Sequence, residues 1–157
     1  MALPQAKGKA SVKFYPEGGN LVNGLPSTVA WEVKDQQNRP VAVKAFLYQN
    51  EKAIDTIETS SYGIGKFRML PHTGLNYTLK LIHDKLVDST YKLPNAIENG
   101  LVLTLTEAVV KDTLRVNLKT NLTQQIFIRL HNFRESFLNI PFDMDSETLS
   151  KAFTPFW

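Results

Sequence analysis

Between Lys13 and Asp35 the chain reads Lys-Phe-Tyr-Pro-Glu-Gly-Gly-Asn-Leu-Val-Asn-Gly-Leu-Pro-Ser-Thr-Val-Ala-Trp-Glu-Val-Lys-Asp, apolar runs broken by Pro16, Gly18, Gly19, Gly24 and Pro26. Proline lacks the amide hydrogen a strand ladder needs, and glycine favours turn conformations, so no unbroken helix or strand runs through this stretch. It reads as an edge strand that stops, turns and restarts before a long core strand. In that core strand Val29, Trp31 and Val33 alternate with Ala30, Glu32 and Lys34, the period of a strand with one face on a core, and Trp31 is its expected anchor.

The same two-residue period continues. After the polar turn Gln36 to Pro40, Val41, Val43, Ala45 and Leu47 share one face while Phe46 and Tyr48 point the other way. Gln49 to Lys52 turns the chain into Ile54 to Thr59, where Ile54 and Ile57 fall out of phase, as at a bulge or an edge. Phe67 and Met69, then Tyr77, Leu79 and Leu81, supply further strands between the turns at Ser60 to Gly63 and His72 to Gly74. With no helix-length segment between strands, antiparallel connections are expected rather than parallel crossovers.

Later sets repeat the pattern: Leu101, Leu103 and Leu105; Leu114, Val116 and Leu118; Ile126, Ile128 and Leu130; Leu138, Ile140 and Phe142. Leu149 and Phe153, four apart behind Asp145-Ser146-Glu147, predict a short C-terminal helix ended by Pro155. The fold expected is all-β: tandem antiparallel sandwiches, the second incomplete, closed by that helix. Its parts are a disordered or artificially added start over residues 1–10, a sandwich over 11–83, a linker with the first strand of the next module over 84–99, and a second sandwich over 100–157. An incomplete module would leave a strand edge exposed, inviting dimerisation or strand exchange.

Composition narrows the functions. With 157 residues and 43% apolar content a core needs no staples, and the lack of cysteine removes disulfides, thiolate nucleophiles and cysteine zinc sites together. No run approaches the roughly 20 apolar residues of a membrane helix, and the start has no signal-peptide core. The net charge of +3 is spread rather than gathered into the aromatic-laced basic face of a nucleic-acid binder.

His72, His83 and His131 have no metal-type spacing, and Ser27, Ser60, Ser61 and Ser89 have no nucleophile elbow around them. Asp35, Glu58 and Asp84 adjoin turns, where acids are common without any catalytic duty. Glu17-Gly18-Gly19-Asn20 could cradle an anion or offer oxygens to calcium, but a glycine turn carrying an edge strand between sheets is the stronger reading. Asn76-Tyr77-Thr78 and Asn121-Leu122-Thr123 match the glycosylation triplet, which arises often by chance. Phe46, Tyr48 and Tyr62 are the candidate binding surface, for sugar or peptide. No catalytic residue, cofactor or metal is expected, and the chain is not expected to be an enzyme.

The phrase from Phe14 to Ser27 resembles the repeated opening of macroglobulin-like β-sandwich modules in bacterial relatives of α2-macroglobulin. The likeness continues at Val29-Ala30-Trp31, at Asn38-Arg39-Pro40-Val41 and at Gly63-Ile64-Gly65-Lys66-Phe67 ahead of the turn from Pro71 to Gly74. Pro16, Gly18, Gly19, Gly24, Pro26 and Trp31 form its structural signature. The resemblance implies an Ig-like fold and a noncatalytic spacing or protein-binding role in a large exported envelope protein of a Gram-negative bacterium. Such proteins carry a domain like the plug of TonB-dependent receptors. It implies a periplasmic or outer-membrane setting, with the signal peptide outside this chain and neighbouring domains as partners. The protease-trapping thioester of full α2-macroglobulins requires a cysteine, so this chain does not carry it.

Overall fold

The computed structural model describes residues 7–87, 89–106, 114–145 and 148–153. Strand β1 (Ala10–Pro16) pairs antiparallel with β2 (Ser27–Asp35) from Ala10↔Asp35 to Pro16↔Val29, and β5 (Ile64–Met69) lies on the other side of β2. A second sheet holds β3 (Lys44–Gln49), β4 (Lys52–Glu58), β6 (Tyr77–Ile82) and β7 (Thr90–Lys92) in the order β4-β3-β6-β7. Alternation turns Val29, Trp31 and Val33 of β2, Ala45 and Leu47 of β3, Phe67 and Met69 of β5, and Tyr77, Leu79 and Leu81 of β6 into one buried cluster. Two antiparallel layers around one core fit a β-sandwich, and each fully buried Leu or Val in it contributes roughly 1.5–3 kcal/mol.

Trp31 is wholly buried and stands opposite Gly65 in the β2–β5 register. A Cβ at Gly65 would lie 2.6 Å from the indole Nε1 and would collide with the Glu58 carbonyl, so the missing side chain makes room for the ring. Among the described residues the indole N–H meets no acceptor.

Two boundaries read in the sequence fall where the structure shows backbone pairing. Gly8, within the stretch set apart as a start, donates its N–H to the Lys85 carbonyl while its own carbonyl accepts from Val87. Residues 90–92, expected to open the second module, are instead hydrogen-bonded to β6 through Thr78↔Lys92, Leu79↔Tyr91 and Lys80↔Thr90. A strand of three residues has no period to read, and β6 offered an unpaired edge that it could satisfy.

The remaining strands form a three-stranded sheet of β8 (Leu101–Thr106), β9 (Leu114–Thr120) and β12 (Thr148–Phe153), and a hairpin of β10 (Thr123–His131) and β11 (Ser136–Asp145). The expected C-terminal helix is absent: residues 148–153 are a strand running from Thr148↔Lys119 to Phe153↔Leu114. A spacing of four is also a multiple of two, so Leu149 and Phe153 share a face in either periodicity, and an open edge of β9 decided between them. Pro155 lies outside the described residues.

With those corrections the second group repeats the first. The order β8-β9-β12 reproduces β1-β2-β5, and the pair β10-β11 reproduces β3-β4. Both hairpins slip register near the tip, between Leu47 and Tyr48 and between Leu130 and His131, and both turns place a residue at positive φ, Asn50 at 52° and Phe133 at 71°. Among the described residues, no strand stands in the second group where β6 and β7 stand in the first.

Candidate functional site

The glycine turn joins the two groups. Gly19 N–H closes the turn on the Pro16 carbonyl, and the chain then crosses beneath the first core, with Leu21 and Val22 fully buried and Val22 bridged to Ile97. At Gly18, where φ is +83°, a Cβ would stand 2.7 Å from the Leu103 backbone nitrogen, so only glycine lets β8 approach this closely. Glu17 Oε1 accepts from the Leu105 N–H at 3.0 Å, satisfying a donor on the outer edge of β8. That carboxylate therefore binds backbone, and the stretch from Glu17 to Asn20 serves as a joint.

Asn121 completes the joint from the other side. Its Oδ1 accepts from Gly100 N–H at 2.9 Å, and its Nδ2 donates to the carbonyls of Glu98 at 2.7 Å and Asn23 at 3.2 Å. Both amide hydrogens are committed, so this glycosylation-type asparagine is occupied structurally; Asn76, in the other triplet, is exposed. Sequence reasoning missed the Asn121 role, because its partners lie 23 and 98 residues away and leave no local signal.

Between the groups, on the outer face of the β1-β2-β5 sheet, lies an open groove of about 820 Å³ lined by Tyr15, Glu17, Lys66, Arg68, Thr104 and Leu105. Beside it the Tyr15 hydroxyl donates to Glu32 Oε1 at 2.8 Å, and Lys34 Nζ stands 3.1 Å from Glu32 Oε2. The Tyr15 hydroxyl, then Lys34, hold the Glu32 carboxyl below its ordinary range, and the same hydrogen bond raises the Tyr15 phenol. These groups brace neighbouring strands.

The structure brings Asp35, His83 and Asp84 to one cavity of about 540 Å³ at the end of the first core, while Glu58 lies elsewhere. Asp35 Oδ1 accepts from the backbone N–H groups of Gln37 and Arg39, and its Oδ2 accepts from Arg39 Nε at 2.8 Å. These bonds, the Arg39 backbone donor first, hold Asp35 below the usual carboxylate range, the direction opposite to that of a general acid. The histidines stay apart: His72 N–H donates to the Tyr77 hydroxyl, and the Nδ1 atoms of His83, after β6, and of His131, at the end of β10, accept from Lys85 and Phe133 N–H. Among the described residues, no three His, Cys, Asp or Glu side chains gather as metal ligands would.

Phe46 and Tyr48 lie on the outward face of β3 with ring centroids 6.4 Å apart at 79°. Tyr62 is 77% exposed in the β4–β5 turn, where its N–H donates to Ser60 Oγ. The first two rings stand edge to face and Tyr62 is absent from the groove they line, so the three form no flat platform.

A surface the sequence reading passed over is the β10-β11 arm. Ile126, Ile128, Leu130, Leu138 and Ile140 are half-buried on one face, while Phe127 is 62% and Phe137 46% exposed on the other. The uninterrupted run Ile126-Phe127-Ile128, which breaks the apolar-polar alternation, was the available signal. Compared with known protein families, curated proteins and solved structures, the chain matches none.

Proposed function

We propose that this chain is a noncatalytic structural and interaction segment of a large bacterial envelope protein, spacing domains and meeting protein partners. Its first sandwich is of the macroglobulin-like, Ig-like kind. The first group's order of β1-β2-β5 against β4-β3-β6-β7 is that of an antiparallel sandwich, with the fourth strand beside β3 rather than beside β5 as in constant-type immunoglobulin domains, and the macroglobulin-like reading rests on the sequence likeness. The likeness of Phe14 to Ser27 to such modules supports the periplasmic or outer-membrane setting.

The observation that carries the spacing role is the joint. Glu17, Gly18 and Asn121 tie β8 and β9 to the first sandwich through backbone groups, so consecutive strand groups are held at a set geometry rather than on a free linker. Small-angle scattering tests it: G18V combined with N121A should enlarge the radius of gyration of the full chain, and an unchanged profile would refute a held spacing. Fractionation of cells expressing the parent reading frame tests the setting, and recovery of the protein in the cytoplasm would refute it.

A further inference from the structure

We infer that the Asn99-Gly100 pair, where the chain enters β8, is a modification site: Asn99 exchanges its side-chain amide for an acid by reaction with water, and Asn121 governs how fast.

The chain contains two Asn-Gly pairs, Asn23-Gly24 and Asn99-Gly100, and both lie in the joint. Such pairs are labile for a steric reason. Glycine has no side chain to shield its nitrogen, so that nitrogen can attack the Cγ of the asparagine before it. A bond forms from Gly100 N to Asn99 Cγ and closes a five-membered imide, the Cγ–Nδ2 bond breaks, and ammonia leaves with the proton from the Gly100 amide. Water then opens the imide at one carbonyl to give aspartate, or at the other to give isoaspartate. The balance is one water in and one ammonia out.

The two pairs are not held alike. At Asn23 both reacting groups are engaged: its Nδ2 donates to Glu98 Oε1 at 2.9 Å, and Gly24 N–H donates to the Pro71 carbonyl at 2.8 Å. The Asn23 N–H and carbonyl are also taken, by Ile97 and Asn121, which fixes the residue on both sides. Asn99 is exposed, and among the described residues its side chain has no hydrogen-bond partner. One bond restrains this pair, from Gly100 N–H to Asn121 Oδ1 at 2.9 Å. It keeps the proton on the attacking nitrogen and the peptide plane in place.

Packing favours the residue that makes Asn99 labile. A Cβ at Gly100 would stand 2.9 Å from Ile97 Cδ1 and 3.2 Å from Val22 Cγ2, and the Gly100 carbonyl accepts from Thr120 Oγ1. Isoaspartate would insert the Asn99 Cβ into the backbone just ahead of Leu101, the first residue of β8, and draw Gly100 N–H out of line with Asn121. Either acid adds a carboxylate beside Glu98. Modification therefore loosens the joint; that consequence rests on the held-spacing reading, whereas the modification itself does not.

The test keeps the full chain at mildly alkaline pH in heavy-oxygen water, digests it in ordinary water, and follows label at Asn99 and Asn23 by mass spectrometry, with electron-transfer fragmentation separating the two acids. In the folded parent, Asn99 should convert about tenfold more slowly than in guanidinium, the worth of one ordinary hydrogen bond, and well ahead of Asn23. In guanidinium the two pairs should convert alike. N121A should bring Asn99 close to its unfolded rate with Asn23 still slow, whereas N121D, which retains an oxygen acceptor, should stay near the parent. Asn99 as silent as Asn23 in the folded parent, Asn23 leading, or N121A no faster at Asn99 than the parent or N121D would overturn the inference. Should N121A unfold, both pairs would speed up together, and the parent chain in and out of guanidinium still decides. Scattering from the aged chain separates the two readings: conversion at Asn99 with an unchanged radius of gyration upholds the site and counts against the held spacing.

Discussion

The two strand groups are wired alike and stabilised differently. In the first, β6 covers β3 and delivers Tyr77, Leu79 and Leu81 to a cluster of fifteen buried side chains; in the second, the cluster among the described residues has three, Val116, Leu118 and Met144. The strand order of the first five strands therefore recurs, among the described residues without the strands that extend the β4-β3 layer in the first group. Connection lengths and antiparallel turns suffice to set the order, whereas burial grows only when both layers are complete.

The largest blow to that contrast should come from W31A. Removing the fully buried indole is expected to cost about 3–5 kcal/mol, read as a drop in the urea midpoint, and an unchanged midpoint would deny that Trp31 anchors the larger core. L118A should cost about 2–3 kcal/mol, near the lower end for a buried leucine because a small core can partly collapse. Hydrogen exchange would separate the groups: loss of protection in 114–120 with 27–35 intact is expected, and equal loss in both would mean a single cooperative core.

Next comes the joint. G18V forces a β-branched residue into φ of +83° and into the Leu103 backbone, for about 2–3 kcal/mol, whereas G19V carries backbone strain alone because open space surrounds its Cβ. Equal effects of the two would show that β8 does not press on Gly18.

The smallest effects are electrostatic and confined to the first group. The folded pKa of Asp35 lies below its unfolded value of about 3.9, so its contribution is present above that pH and is lost as pH falls through the folded value. D35N should lower the urea midpoint at pH 7 and converge with the parent chain once the pH falls below the folded value. Tyr15 is raised, so its contribution holds below about pH 10 and is lost as pH rises through the folded value. Y15F should therefore differ from the parent at neutral pH and converge at strongly alkaline pH. A constant offset in either case would rule out the bonds described.

The strands legible in the sequence were those with a long two-residue period. Val29, Trp31 and Val33 mark β2, and the sets at 126–130 and 138–142 mark β10 and β11. Residues 148–153 were misread because Leu149 and Phe153 satisfy both periods, and pairing with β9 is a tertiary fact. Sequence could put Phe46 and Tyr48 on an outward face, but Tyr62 sits in a turn whose position depends on how β4 and β5 join different sheets.

The Asn121 side chain has a kinetic consequence. Its amide reaches the carbonyl of Asn23, a residue whose own N–H is taken by Ile97 and whose neighbour Gly24 donates to Pro71. Those acceptors are in place only after the segments around residues 71 and 97 have docked. Because N-terminal portions generally fold first during synthesis, the surface around Asn23 is expected to assemble ahead of the Asn121 contact that grips it.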